Sequence, residues 1–276
     1  MCHYIYIQVL YFYILNNDNA WNMAIPINTS TNKEFSMNIT INTLLSHCSI
    51  RKFSQQAIST EVLEKILDCA IAASSSSFIQ CSSIIRITDK EKRSVLAELA
   101  GNQSYVETAA EFLVFCADYN RHNEVVTNAQ LGFTEQTLIS SIDTALMGQN
   151  TLIAAESLGL GGVFIGGIRN DVQAVSELLS TPKHVLPLFG LCLGYPAHQP
   201  EVKPRLPRSI VIHENNYQTL DKAQLHNYDE TMKAYYASRS SNNKATTWST
   251  QIEKILTKES RPHMQEFMKN KGFNIK

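Results

Sequence analysis

The stretch Thr134-Glu-Gln-Thr-Leu-Ile-Ser-Ser-Ile-Asp-Thr-Ala-Leu-Met-Gly-Gln-Asn-Thr-Leu-Ile-Ala-Ala-Glu-Ser-Leu158 runs straight into Gly159-Leu-Gly161-Gly-Val-Phe-Ile-Gly166-Gly167. Its first part carries apolar or small residues on nearly every face, which predicts one helix of about 25 residues and about 37 Å. Such a helix is expected to be buried all round, at the centre of a domain or in a subunit interface. Gly159 supplies its stop. The glycines that follow invite comparison with a dinucleotide fingerprint, but the third glycine of G-x-G-x-x-G would fall at Phe164. The order is also reversed. This segment leaves a helix and enters a strand, whereas a Rossmann loop leaves a strand and opens a helix.

Working outward, Thr60–Ala73 places apolar residues at 62, 63, 66, 67, 70 and 71, the helical period, behind a Ser59 cap. Lys90–Ala100 is helical in period and ends at Gly101. The apolar runs 84–87, 111–118, 162–165 and 186–193 suit buried strands. Further helices are predicted near Met37 and over 170–180, 220–238, 248–258 and 261–270. Strands and helices mix without strict β-α-β alternation, so the fold class is α+β.

Composition narrows the function classes. The 276 residues hold 24 Lys+Arg and 25 Asp+Glu, a formal charge of −1, which argues against a nucleic-acid surface. At 44% apolar residues a packed core is expected. No run of about 18 apolar residues occurs, so no membrane-spanning helix is expected. The eight His are isolated rather than spaced as ligand pairs, so no metal site is expected. Cys69, Cys81, Cys116 and Cys192 are expected to be buried free thiols in a reducing cytoplasm. Residues 1–36 open on an apolar Tyr/Ile stretch with no Lys or Arg before Lys33, and continue into polar, turn-rich sequence. That reads as an N-terminal extension upstream of a functional start at Met37, without a secretory signal.

Two sets of basic residues sit at loop positions, His47-Cys-Ser-Ile-Arg51 and Lys203-Pro-Arg205. They fit either solvated surface charge or a phosphate site, since each combines cations with rigid or hydroxyl neighbours. Gly166-Gly167 fits either close backbone approach to a planar ligand or a tight turn. Ser74-Ser-Ser-Ser77 reads as a helix terminus. Gly-x-Ser-x-Gly is absent, and no Ser-His-Asp arrangement follows from spacing.

Taken in order, several segments carry a resemblance. They are His47-x-Ser-Ile-Arg51, Ser74–Ser83, Gly159–Gly167, Leu186-Pro-Leu-Phe-Gly-Leu-Cys-Leu-Gly194, Lys203-Pro-Arg-Leu-Pro207, Ser241-Asn-Asn243 before Trp248, and Lys258-Glu-Ser-Arg-Pro262. Together they resemble the oxygen-insensitive NADPH nitroreductases of type A and the related NADPH-dependent flavin reductases, from residue 37 to 276. The resemblance implies a central, mostly antiparallel sheet flanked by helices, a homodimer, and one FMN per subunit at the dimer interface. By that likeness His47, Ser49, Arg51, Lys203 and Arg205 hold the FMN phosphate. Ser75, Ser77 and Gln103 lie along its chain and ring, and Phe164, Ile165, Gly166 and Gly167 pass over the isoalloxazine. Arg239 matches an NADPH-binding arginine, while Phe78, Lys258 and Arg261 edge the open face.

The implied activity is two-electron, ping-pong hydride transfer from NADPH to nitroaromatic compounds or quinones, with no catalytic side chain assigned. An FMN reductase and a non-enzymatic FMN-binding protein are the alternatives. Three departures bear on this: Cys48 stands where the family has arginine, Ser240 where it has glycine, and Lys244 where it has arginine. The first implies weaker FMN binding, and the others a less secure preference for NADPH.

Overall fold

The computed structural model describes residues 38–239 and 243–273, and those from Ile39 onward belong to one compact unit. The expectations for residues 1–36 and for the start at Met37 lie outside the described residues, as does Ser240.

The chain opens with α1 (Ile39–Leu45) and α2 (Thr60–Ile71). Ser59 caps α2, its hydroxyl accepting from the Val62 N–H at 3.3 Å, and Leu63, Ile66 and Ala70 face inward. Next come β1 (Ser82–Arg86), α3 (Lys90–Leu99), α4 (Tyr105–Thr108), β2 (Glu111–Asp118) and α5 (Asn120–Val125). The long helix α6 (Thr134–Ser157) leads through Gly159, whose φ of 80° gives the left-handed turn a glycine permits, into β3 (Gly161–Ile165). Then follow α7 (Val172–Leu178), β4 (Val185–Gly194), α8 (Arg208–Val211), α9 (Lys222–Ser238), α10 (Trp248–Leu256) and α11 (Met264–Asn270).

The four strands form one antiparallel sheet in the order β1-β2-β4-β3. All eight residues of β2 are buried, because both faces of this central strand are covered. Phe112, Val114 and Cys116 enter one core with Leu96, Val106, Ile165 and Ile168. Leu113 and Phe115 alternate to the other face, with Ile66, Leu152, Ala155 and Leu191. The result is the α+β class, helices on both sides of an antiparallel sheet. Pro187 is accommodated in β4 because the register skips there: Phe115 pairs with Phe189 and Cys116 with Pro187, leaving Leu188 unmatched. The Arg169 guanidinium donates to the freed Leu188 carbonyl.

Two expectations need correction. Helix α6 is not buried all round. Its small and polar residues Ser140, Thr144, Gly148 and Thr151 face the protein, and Gly148 lets the Phe189 ring sit where a Cβ would be 2.7 Å away. Its bulky Leu138, Ile142 and Leu146, spaced by four, are 52%, 56% and 43% exposed. Apolarity on every side predicted burial, but within the chain the sheet has room only for the small side. Cys69 is also exposed, since Leu63, Ile66 and Ala70 occupy the inward face of α2. Cys81, Cys116 and Cys192 are buried, and burial pushes the Cys81 thiol up to about 11 and Cys116 to about 12.

Candidate functional site: a cationic cleft and a separate glycine turn

The segment after α1 is tied to the sheet's end. Ile50 N–H donates to Gly162 O at 2.9 Å, Ser54 N–H to Tyr195 O at 2.8 Å, and Phe53 bridges to Pro196. Gly161 must lack a side chain, because a Cβ would lie 2.4 Å from the Ile50 side chain. This fixes the backbone that carries His47, Ser49 and Arg51. From the other side, Lys203 and Arg205 come from the loop after β4, and Arg239 caps α9. These residues line one cleft of about 390 Å³ together with Cys48, Lys244, Tyr235, Tyr236 and Glu201.

The cations are braced by aromatic rings. Lys203 Nζ lies 5.3 Å from the Tyr236 ring centroid, and the Arg239 guanidinium 6.0 Å from that of Tyr235. Burial pushes the Tyr236 hydroxyl up, but hydrogen bonds with Lys203 and Gln251 and the nearby Lys203 and Arg239 charges bring it below the ordinary phenol value. Glu201 is the only Asp or Glu among the described residues lining the cleft. Such a donor set, with hydroxyl and guanidinium groups around little negative charge, suits a phosphate.

The Gly166–Arg169 turn follows β3. A Cβ on Gly167 would lie 2.3 Å from the Ala100 carbonyl oxygen and 2.5 Å from Gln103 Nε2. Gly167 is therefore required by close packing against the end of α3. At Gly166 a Cβ would meet only a side chain, Arg169 Nη2 at 3.3 Å. Gln103 donates to Ala100 O at 2.5 Å and accepts from the Tyr105 hydroxyl, so it sits against the same turn. Ile165 is buried while Phe164 is 38% exposed and meets Phe189 edge-on at 5.4 Å. Arg261 joins this group through Asn170 Oδ1, donating from Nε at 3.0 Å and Nη2 at 2.8 Å. Lys258 is exposed in the preceding link.

Ser75, Ser77 and Phe78 do not line the cleft. They form a loop with left-handed φ at Ser77 (49°), Phe78 (57°) and Gln80 (57°). Asp143 of α6 holds it, accepting from Ser75 Oγ at 2.8 Å, Ser76 N at 3.0 Å and Ser76 Oγ at 3.0 Å. The Ser75 oxygen in turn accepts from Gln80 N–H at 2.7 Å. Phe78 projects from the loop, 80% exposed.

Sequence reading missed Asp143, Glu156, Tyr235 and Tyr236. Asp143 had a legible signal, as the one charged residue between Glu135 and Glu156 of the long helix. Glu156 had none, since its partner His47 is 109 residues away. Among the described residues no cluster of three metal-ligating side chains occurs, and no helix is long and apolar enough to cross a membrane.

Comparison with known proteins agrees with this frame. Residues 44–195 match the nitroreductase family, and residues 203–276 match the nitroreductase family C-terminal domain. The chain is 54% identical over 237 residues to the oxygen-insensitive NADPH nitroreductase of Salmonella typhimurium, covering 86% of this chain and 99% of that protein. It is 54% identical over 236 residues to the NADPH-flavin oxidoreductase of Vibrio harveyi, covering 86% and 98%. The structure superposes on that of NADPH:FMN oxidoreductase from Vibrio harveyi complexed with NAD+ with a TM-score of 0.82 at 51% identity, over 87% of this chain and 100% of the other. The chain belongs to the nitroreductase family.

Proposed function

We propose that this chain is an FMN-dependent NADPH oxidoreductase that reduces nitroaromatic compounds and quinones. The observation that carries the reading is the convergence of His47, Ser49, Arg51, Lys203 and Arg205 on one cleft from two distant parts of the sequence. These residues would hold the FMN phosphate, with Gln103 and the Phe164–Gly167 backbone along the rest of the cofactor. FMN, when bound, supplies the two-electron redox chemistry. The chain contributes placement and charge. Arg239 binds NADPH phosphate at the same cationic cleft, and Arg261, steadied by Asn170, edges the open face with Lys258. Electron donor and acceptor then use one open face in turn, which gives ping-pong kinetics without an obligatory protein acid or base.

The working form is a cytoplasmic homodimer built from residues 37–276. The outward stripe Leu138, Ile142 and Leu146 supports the dimer, being the kind of apolar face that a second copy covers. The loop carrying Ser75, Ser77 and Phe78 is anchored to the same helix, which supports a cofactor site at the subunit boundary.

A second reading, with free FMN as the acceptor, is favoured by the equal identity to a flavin oxidoreductase. Anaerobic NADPH addition to the purified yellow protein tests the core of the proposal. Bleaching of the visible flavin band is expected. A protein that takes up no FMN would overturn the reading, and a yellow one that NADPH does not bleach would leave binding without catalysis. Turnover of nitrofurazone against free FMN then separates the acceptors.

A further inference from the structure

We propose that Glu156 is the positioning residue for His47, and that through it FMN binding takes up a proton. The inference rests on reading the cationic cleft as the phosphate site. His47 lines that cleft on one side and, on the other, a second cavity of about 260 Å³ that Thr43, Ser46, Glu156 and Gln199 also line. On this second side His47 Nδ1 lies 2.6 Å from Glu156 Oε1, and the Glu156 side chain is only 12% exposed. Glu156 sits in the last turn of α6, so a rigid element sets its position. An ionised carboxylate only accepts hydrogen bonds, so Nδ1 carries the hydrogen and Nε2 is the nitrogen left for the cleft.

A neutral ring with its hydrogen on Nδ1 has a bare lone pair at Nε2. A phosphate dianion also only accepts, so the two cannot bond until Nε2 is protonated. FMN binding therefore draws a proton from solvent onto Nε2 whenever the free protein holds His47 neutral.

The other charged groups facing His47 do not supply this proton. Arg51 from the same segment, and Lys203, Arg205, Arg239, Lys244 and Glu201 elsewhere in the cleft, are residue types whose ordinary pKa lies well away from neutrality. Burial and the Glu156 charge raise the adjacent Cys48 thiol, keeping it neutral. A phosphomonoester is already largely dianionic above pH about 7. Tyr235 and Tyr236 flank the basic residues, so a variant at His47 itself isolates the effect from them.

Charge alone makes the opposite expectation for Glu156. A carboxylate near a phosphate repels it, so its removal would tighten FMN if no positioning were involved.

The experiment titrates FMN and riboflavin, which lacks the phosphate, into the flavin-free full chain. Flavin fluorescence is read near pH 7 and near pH 8.5. Wild-type affinity for FMN is expected to weaken about tenfold over that interval while riboflavin affinity stays level. Glu156→Leu weakens FMN about tenfold near pH 7. Glu156→Gln, whose amide oxygen still accepts from Nδ1, recovers most of that loss, and His47→Asn abolishes the pH dependence. Tighter FMN binding in either Glu156 variant, or pH-independent FMN binding in the wild type, overturns the proposal. FMN binding no tighter than riboflavin overturns the phosphate assignment of the cleft, and the proposal with it.

Discussion

Ser75 and Asp143 are 68 residues apart in sequence, and the Ser75 hydroxyl donates to the Asp143 carboxylate at 2.8 Å. That carboxylate is 4% exposed and also accepts from both the amide and the hydroxyl of Ser76. Three non-glycine residues of the loop it holds have left-handed backbones, a conformation that costs on the order of 1–3 kcal/mol each. One buried carboxylate on the long helix thus keeps the loop that presents Phe78 in a shape it would not adopt alone.

Asp143→Ala leaves these donors without an acceptor, at about 1–3 kcal/mol for each one that stays buried. We expect a melting temperature lower by several degrees and new proteolytic cleavage within 75–80. Asp143→Asn, which keeps one acceptor oxygen, should fall between the two. An alanine variant that melts with the wild type and resists protease would refute the anchoring role.

The two adjacent glycines should respond differently. In Gly167→Ala the new Cβ meets the Ala100 backbone carbonyl at 2.3 Å, which cannot yield cheaply, so the end of α3 or the turn must move. Loss of stability and of flavin is expected. In Gly166→Ala the nearest atom is a side-chain nitrogen, Arg169 Nη2, at 3.3 Å, which has to give by only a few tenths of an ångström, so the fold should survive with a near wild-type melting curve. Equal melting curves for both variants would contradict the packing argument.

Acid stability depends on Asp118. Burial pushes its carboxyl up, but hydrogen bonds from Ser83 and Arg121 and the Arg121 charge outweigh this and hold it below the ordinary carboxylate value. A carboxylate depressed on folding contributes stability that is present above the unfolded pKa of about 3.9 and is lost as pH falls through the folded value. Arg121→Met keeps the burial and the hydrogen bonds from Ser83 and Asn120, and removes the hydrogen bond and the charge that Arg121 contributes to the depression. The variant should therefore be less stable near neutrality, and its acid unfolding should begin at higher pH. An acid midpoint matching wild type would exclude the pair as a source of stability.

The apolar stripe on α6 makes a prediction about assembly. Ile142→Glu places a charge in the middle of Leu138, Ile142 and Leu146, where a covering subunit would have to desolvate it. Light scattering should report a monomer with reduced flavin content. A variant that remains dimeric would move the interface elsewhere.

How far the sequence could be read follows from the range of the interactions. The four strands and the larger helices were legible because periodicity is local: β2 alternates Phe112, Val114 and Cys116 against Leu113 and Phe115. The short α4, α5 and α8 and the Gly166–Arg169 turn complete too few turns for periodicity to register. The outward side of α6 was hidden for a different reason. Composition reports how apolar a helix is, while the side that meets the sheet is chosen by size. At the site, the resemblance singled out the basic residues that share the cleft. It did not reveal their supports, Glu156 behind His47 and Asp143 beneath Ser75: the lone charge inside α6 marks Asp143 without naming its partner, and contacts across 109 and 68 residues leave no spacing to detect.

Cys48 is where the family resemblance and the geometry meet. It lines the cationic cleft between His47 and Ser49, at the position where the resemblance expects an arginine. A hydrogen bond to a charged group is worth about 1.5–3 kcal/mol, so its absence weakens FMN roughly tenfold to a hundredfold. The protein should emerge from purification partly as apoprotein, and Cys48→Arg should bind FMN tighter by about that factor. The added guanidinium has a choice of partners, since Glu156 is close enough to influence the Cys48 thiol. If the introduced guanidinium pairs with Glu156 instead of phosphate, FMN affinity will not rise. Fluorescence titration of FMN and riboflavin decides the matter: a gain confined to FMN places the new charge at the phosphate, and equal FMN affinity in both proteins removes Cys48 as a determinant of cofactor binding.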